Sequence, residues 1–70
     1  MAKWIELSES ETELKIAVNV DNIACVGKHY VEKWADDGME RVERTRIYYK
    51  GSRYMDVMET YTQVKQMIMG

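Results

Sequence analysis

Proline is absent from the 70 residues, glycine occurs four times, and cysteine and histidine once each. Low proline and glycine, set beside 46% hydrophobic and 31% charged residues, take the chain away from the disordered class. A lone Cys25 excludes an intramolecular disulfide framework and fits a reducing compartment. With a single Cys and a single His, a zinc site needs carboxylates such as Glu32 or a second subunit, so no metal is expected. Gly27, Gly38, Gly51 and Gly70 are scattered, and no glycine-rich phosphate cradle exists. The opening MAKWIELSESETELK has no apolar run, which argues against a secretory signal or a membrane anchor and for a cytoplasmic protein.

What is present is a small, thinly covered domain spanning residues 1–70. For 8.3 kDa, surface scaling gives roughly 4,600 Å² folded and about 7,500 Å² buried. Burial then returns about 110 kcal/mol against about 105 kcal/mol of ordering entropy. A core this thin encloses no large substrate cleft and is relieved by a partner subunit. The 10 basic and 12 acidic residues leave a formal charge of −2, weak for a polyanion-seeking protein. Between Lys28 and Arg53, however, seven basic residues face five acidic ones, so one end of the fold is mildly basic.

Hydropathy patterning predicts a mainly β chain with one C-terminal helix, in the order β-β-β-β-β-α, folded as a small bent antiparallel sheet or open barrel. Ile5 and Leu7 alternate with Trp4 and Glu6, and Leu14, Ile16, Val18 and Val20 alternate with Lys15, Ala17 and Asn19. The polar Ser8 to Glu13 segment between them reads as an exposed turn, and Val20-Asp21-Asn22 as a second, since Asp21 and Asn22 can hydrogen-bond their own backbone. Asp37-Gly38 is a hairpin signal, so the segment from His29 to Tyr49 reads as two long strands around Ala35 to Gly38. A short helix over Tyr30 to Trp34 is the rival. Thr45, Ile47 and Tyr49 share one face of the return strand, Arg44, Arg46 and Tyr48 the other. After the turn at Lys50 to Arg53, Met55 and Val57 oppose Tyr54, Asp56 and Met58. Thr60 and Gln63 form a capping box for a helix whose stripe is Tyr61, Val64, Met67 and Ile68. The expected core is Ile5, Leu7, Ile16, Val18, Ile23, Ile47, Val57, Val64 and Ile68.

Chemistry is harder to place. Cys25 and His29 sit about 13 Å apart if the strand between them is extended, too far for a nucleophile and its base. The Asp36 to Glu40 run lacks the alternating donors of a calcium loop. Glu9, Glu11 and Glu13 lie on an exposed segment without a cleft. No catalytic residue and no cofactor is therefore assigned, and the chain reads as non-enzymatic. The excess of large aromatics favours self-association or another protein partner, with Tyr30, Trp34 and Tyr48 as interface residues of a homodimer. The alternative is weak nucleic-acid binding by Arg41, Arg44, Arg46, Lys50, Arg53 and Tyr54, a basic strand surface with interleaved aromatics. Glu40 and Glu43 in the same segment count against it.

The segments NVDNI (Asn19 to Ile23) and TRIYYKGSRYMDVMET (Thr45 to Thr60), with the helix after them, resemble the small bacterial FlbD-like family associated with flagellar and swarming motility. Asn19 and Ile23 match its first element, and Ile47, Tyr49, Gly51, Tyr54 and Val57 its strand pair. Glu59 and Thr60 match the start of its helix, and Val64 and Ile68 the helix stripe. The resemblance implies a sheet followed by a helix and transfers no catalytic residue. Where that family has a short turn, this chain carries roughly Lys28 to Glu43. The strand-loop pattern is also faintly similar to the DNA-binding LytTR domain, whose strong basic loops this shorter chain lacks.

Overall fold

Period-two alternation dominates the architecture. In the computed structural model, which describes residues 2–70, five strands precede one helix: β1 (Trp4–Ser8), β2 (Lys15–Asn19), β3 (Ile23–Ala35), β4 (Gly38–Tyr49), β5 (Arg53–Val57) and α1 (Tyr61–Met69). A single 3-10 turn, Val20–Asn22, leads from β2 into β3. All strand pairs are antiparallel: β1 with β2, and β3-β4-β5 as a second sheet. The sheets meet at one corner, where Glu9 bridges to Val57 and backbone hydrogen bonds run from Ser10 N to Asp56 O (2.9 Å) and from Met58 N to Ser8 O (2.8 Å).

The inward sides of these strands make one core. Ile5, Leu7, Val18, Ile47, Val57 and Val64 are buried, with Ile16, Ile23 and Ile68 packed against them. The nine residues expected from the pattern are thus all in the core or on its margin. Cross-strand partners explain the selection, since Ile5 faces Val18 and Leu7 faces Ile16. Thr45 is also fully buried, and its hydroxyl donates to the Glu59 carbonyl at 2.7 Å. The capping box is present as expected: Thr60 Oγ1 accepts from Gln63 N (3.2 Å), and Gln63 Oε1 accepts from Thr60 N (2.9 Å). At the other end of α1, the Lys3 ammonium donates to the carbonyls of Ile68 and Gly70. Those carbonyls have no partner within the helix, and a cation there also suits the helix dipole.

Three details differ from the sequence expectation or resolve it. Leu14 does not continue β2 and is exposed, because Glu13 takes a positive φ of 61° and the Leu14 carbonyl closes the turn onto Glu9 N. The expected turn at Val20 to Asn22 forms as a 3-10 turn, but Asn19 caps it in place of Asp21 or Asn22: Asn19 Oδ1 accepts from Asp21 N at 3.0 Å. The rival helix over Tyr30 to Trp34 does not form. β3 and β4 pair continuously from Cys25 opposite Tyr48 to Ala35 opposite Gly38, with Gly38 supplying the positive φ of 126° that closes the turn.

The hairpin outruns the rest of the fold. β5 pairs only with Thr45 to Tyr49, so β4 from Gly38 to Arg44 has β3 as its sole strand partner among the described residues. The molecule measures 48 × 23 × 20 Å. Its radius of gyration, 12.9 Å, exceeds the roughly 11 Å of a compact domain of this length. Its 5167 Å² of accessible surface likewise exceeds the roughly 4,600 Å² scaling value.

Candidate functional site

The two faces of the β3–β4 arm have different chemistry, and the register assigns each residue to one of them. Val26, Lys28, Tyr30, Glu32 and Trp34 lie opposite Ile47, Thr45, Glu43, Arg41 and Met39, on the face that carries the core at its base. The core ends near Lys28, but the aromatics continue past it. Trp34 is 83% exposed, and Met39 and Tyr30 are exposed beside it. The Arg41 guanidinium lies over the Tyr30 ring, 4.8 Å from its centroid. Past the core this face alternates Tyr30, Trp34 and Met39 with Lys28, Glu32, Arg41 and Glu43, and no helix or sheet of the described chain is packed over its outer end.

The opposite face is a polar cluster. Arg46 stands directly across from Asp56 and binds it with two contacts, Nε to Oδ1 at 2.8 Å and Nη2 to Oδ2 at 3.1 Å. Arg46 Nη2 also lies 3.0 Å from His29 Nε2. Arginine can only donate, so in a hydrogen bond between them the His29 nitrogen is the acceptor. The Arg46 guanidinium caps the Tyr54 ring at 4.2 Å, and Tyr54 tilts against Tyr48 with ring centroids 6.3 Å apart. Arg44 is 8% exposed: its Nε donates to Ser10 Oγ at 3.2 Å, and Nη1 donates to the Glu43 carbonyl. A hollow of about 290 Å³ lies beside this cluster, lined by Glu9, Ser10, Val31, Tyr54 and Asp56 among others.

The anticipated residues therefore divide. Tyr30 and Trp34 share the inner face, whereas Tyr48 sits on the outer face with Tyr54. Of the basic residues, Arg44 does not belong to an open solvated surface: it is buried, and Ser10 Oγ accepts from its Nε. Arg46 is neutralised by Asp56, and Arg41 is laid on Tyr30. Lys50 and Arg53 flank the exposed β4–β5 turn. Cys25 and His29 occupy one continuous strand, four residues and about 13 Å apart. Among the described residues, no group of three or more His, Cys, Asp and Glu side chains converges to hold a metal ion. No described helix is long and apolar enough to cross a membrane.

The Arg46–Asp56 pair escaped the reading of the sequence, although a signal for it was present. The Lys50 to Ser52 turn sets the β4–β5 register, which then opposes an arginine to an aspartate. The hydrogen bonds from Arg46, together with its charge, hold the Asp56 carboxyl below the usual carboxylate range, and the same contacts raise Arg46. A lowered folded pKa contributes stability that is complete above the unfolded value of about 3.9 and is lost as pH falls through the folded one. Asp56→Asn is expected to cost about 1 kcal/mol at neutral pH, since the pair is partly exposed. In urea unfolding at several pH values, the gap between the two proteins should narrow below about pH 4 as the parent loses its carboxylate. An unchanged gap in acid counts against the ion pair as its source.

Comparison of the chain with protein-family models, with curated proteins and with solved structures finds no match in any of the three.

Proposed function

We propose that this chain is a noncatalytic interaction module that self-associates as a homodimer through its β3–β4 arm. One observation carries the reading: the arm continues the core-bearing face beyond the core, leaving Tyr30, Trp34 and Met39 exposed on it. Covering large aromatics at the centre of an interface is among the strongest sources of affinity, and Trp is the commonest anchor. The excess surface over a compact chain of this mass points the same way. A heterologous protein covering the arm is the nearest variant of this reading. Nucleic-acid binding stands behind both, because four of its six residues, Arg41, Arg44, Arg46 and Tyr54, are engaged by intramolecular partners. A cytoplasmic setting fits the single Cys25, which is exposed and unpaired.

Sedimentation equilibrium over a wide concentration range tests self-association directly. The expected mass is twice 8.3 kDa. Trp34→Ala should weaken the dimer by about tenfold or more in Kd while leaving the monomer folded, because the side chain removed touches little of its own chain. A mass fixed near that of one chain up to high micromolar concentration overturns the proposal.

A further inference from the structure

β3 is an edge strand of 13 residues, and no other strand pairs with its outer side among the described residues. Native sheets rarely leave so long an edge bare, since its free N–H and C=O groups form a template for another strand. The arm dimer proposed above can engage this edge in several registers, and the side chains of β3 select among them.

Two copies related by a two-fold axis perpendicular to the sheet pair antiparallel, so that the inner face of one continues the inner face of the other. Each such register is defined by the residue on the axis. With Lys28 or Glu32 on the axis, like charges meet. With His29 there, Glu32 faces Val26 of the second copy and Lys28 faces Tyr30. With Val31 there, Lys28 faces Trp34 and Tyr30 faces Glu32. Among the five registers centred on Lys28 to Glu32, only Tyr30 on the axis satisfies the whole inner face at once. Lys28 then opposes Glu32 of the second copy, twice over, and the two Tyr30 rings sit side by side. Trp34 comes to lie beside Val26 of the second copy, which packs against that copy's core.

We infer that the occupant of the β3 edge is a second copy of this chain, paired antiparallel with Tyr30 on the two-fold axis, so that two three-stranded sheets become one six-stranded sheet. The inference rests on the self-association reading and adds the edge, the register and the pairs. Cross-strand opposite charges and aromatics are favourable neighbours, and like charges directly opposite are not. The same pairing extends each core outward, since Trp34 of one copy covers apolar surface that the other copy leaves half-buried at Val26.

Disulfide mapping tests the register without touching Tyr30 or Trp34. In a Cys25→Ser background, one chain carries Lys28→Cys and another Glu32→Cys. Directly opposed strand residues have Cα atoms about 4.5–5.5 Å apart, within disulfide reach. Residues 28 of the two copies are four rungs apart, about 13 Å, and so are residues 32. Under oxidised glutathione, the mixture should give a covalent dimer in high yield, and either chain alone should stay uncrosslinked. Crosslinking of the Lys28→Cys chain with itself, or none in the mixture while the parent protein sediments as a dimer, overturns this register and leaves self-association standing. Monomeric sedimentation of the parent protein overturns both.

Discussion

Replacing Ile47 by alanine is expected to lower the free energy of unfolding by about 3–4 kcal/mol, the largest effect of any single truncation in this chain. Ile47 is fully buried toward the C-terminal end of the middle strand, with Val26 across one ladder and Met55 across the other. Its side chain therefore meets both flanking strands as well as the core beneath. Truncation removes the transfer energy of three carbons and leaves a void that strands hydrogen-bonded on both sides cannot close. A 70-residue domain has a total stability of roughly 4–10 kcal/mol, so the variant should be close to unfolded at room temperature. Urea titration followed by circular dichroism measures this, with Ile47→Val as the companion at about 1 kcal/mol. A loss below about 1 kcal/mol for the alanine variant means that the core is centred elsewhere.

Removing the Glu59 side chain should cost about 2 kcal/mol, out of proportion to its partial exposure. Both carboxylate oxygens lie within reach of Ser8 N, at 2.9 and 3.1 Å, and the Glu59 carbonyl accepts from the buried Thr45 hydroxyl. One residue thus fastens the end of β1, the middle of β4 and the approach to α1. A charged acceptor on a backbone amide is worth more than a neutral one, and its loss leaves the Ser8 amide seeking another partner. Glu59→Ala, Thr45→Val and their combination should be measured by urea unfolding. A coupling energy of at least about 0.5 kcal/mol is expected, because the two groups position each other. Strict additivity means that the two hydrogen bonds act independently and that Glu59 is no hub.

The strands were legible where alternation is strict. Ile5 and Leu7, then Thr45, Ile47 and Tyr49, then Met55 and Val57, each point the way their spacing requires. The capping box was legible because Thr60 and Gln63 are a local pair whose geometry depends on nothing else in the fold. Leu14 was misread because a turn residue's conformation, the positive φ at Glu13, ends a strand that hydropathy alone would extend. The turn at Val20 to Asn22 was legible, although its cap comes from Asn19. The burial of Arg44 was invisible because it depends on a segment 34 residues earlier, where Ser10 lies across the sheet. Tyr30, Trp34 and Tyr48 were all identifiable as aromatics on strands. Their separation onto two faces follows from parity, since 30 and 34 are even on β3, while 48 pairs with Cys25. Charge composition advertised a basic surface, and only the β4–β5 register revealed that Arg46 is neutralised across the sheet.

The unequal lengths of the strands have a dynamic consequence. The outer arm is a two-stranded ribbon, and such ribbons are marginal in water without a third strand or a covering helix. Rungs from Val31 opposite Val42 to the turn can open without disturbing Ile47, Val57 or Val64, so their opening free energy lies below that of the whole domain. The base of the hairpin, held by β5 and α1, opens only with global unfolding. A single pair of strands therefore spans two regimes of motion, a firm root and a fraying tip, and the tip carries Trp34. Anything that covers the tip must also still it, and part of its binding energy goes into that ordering.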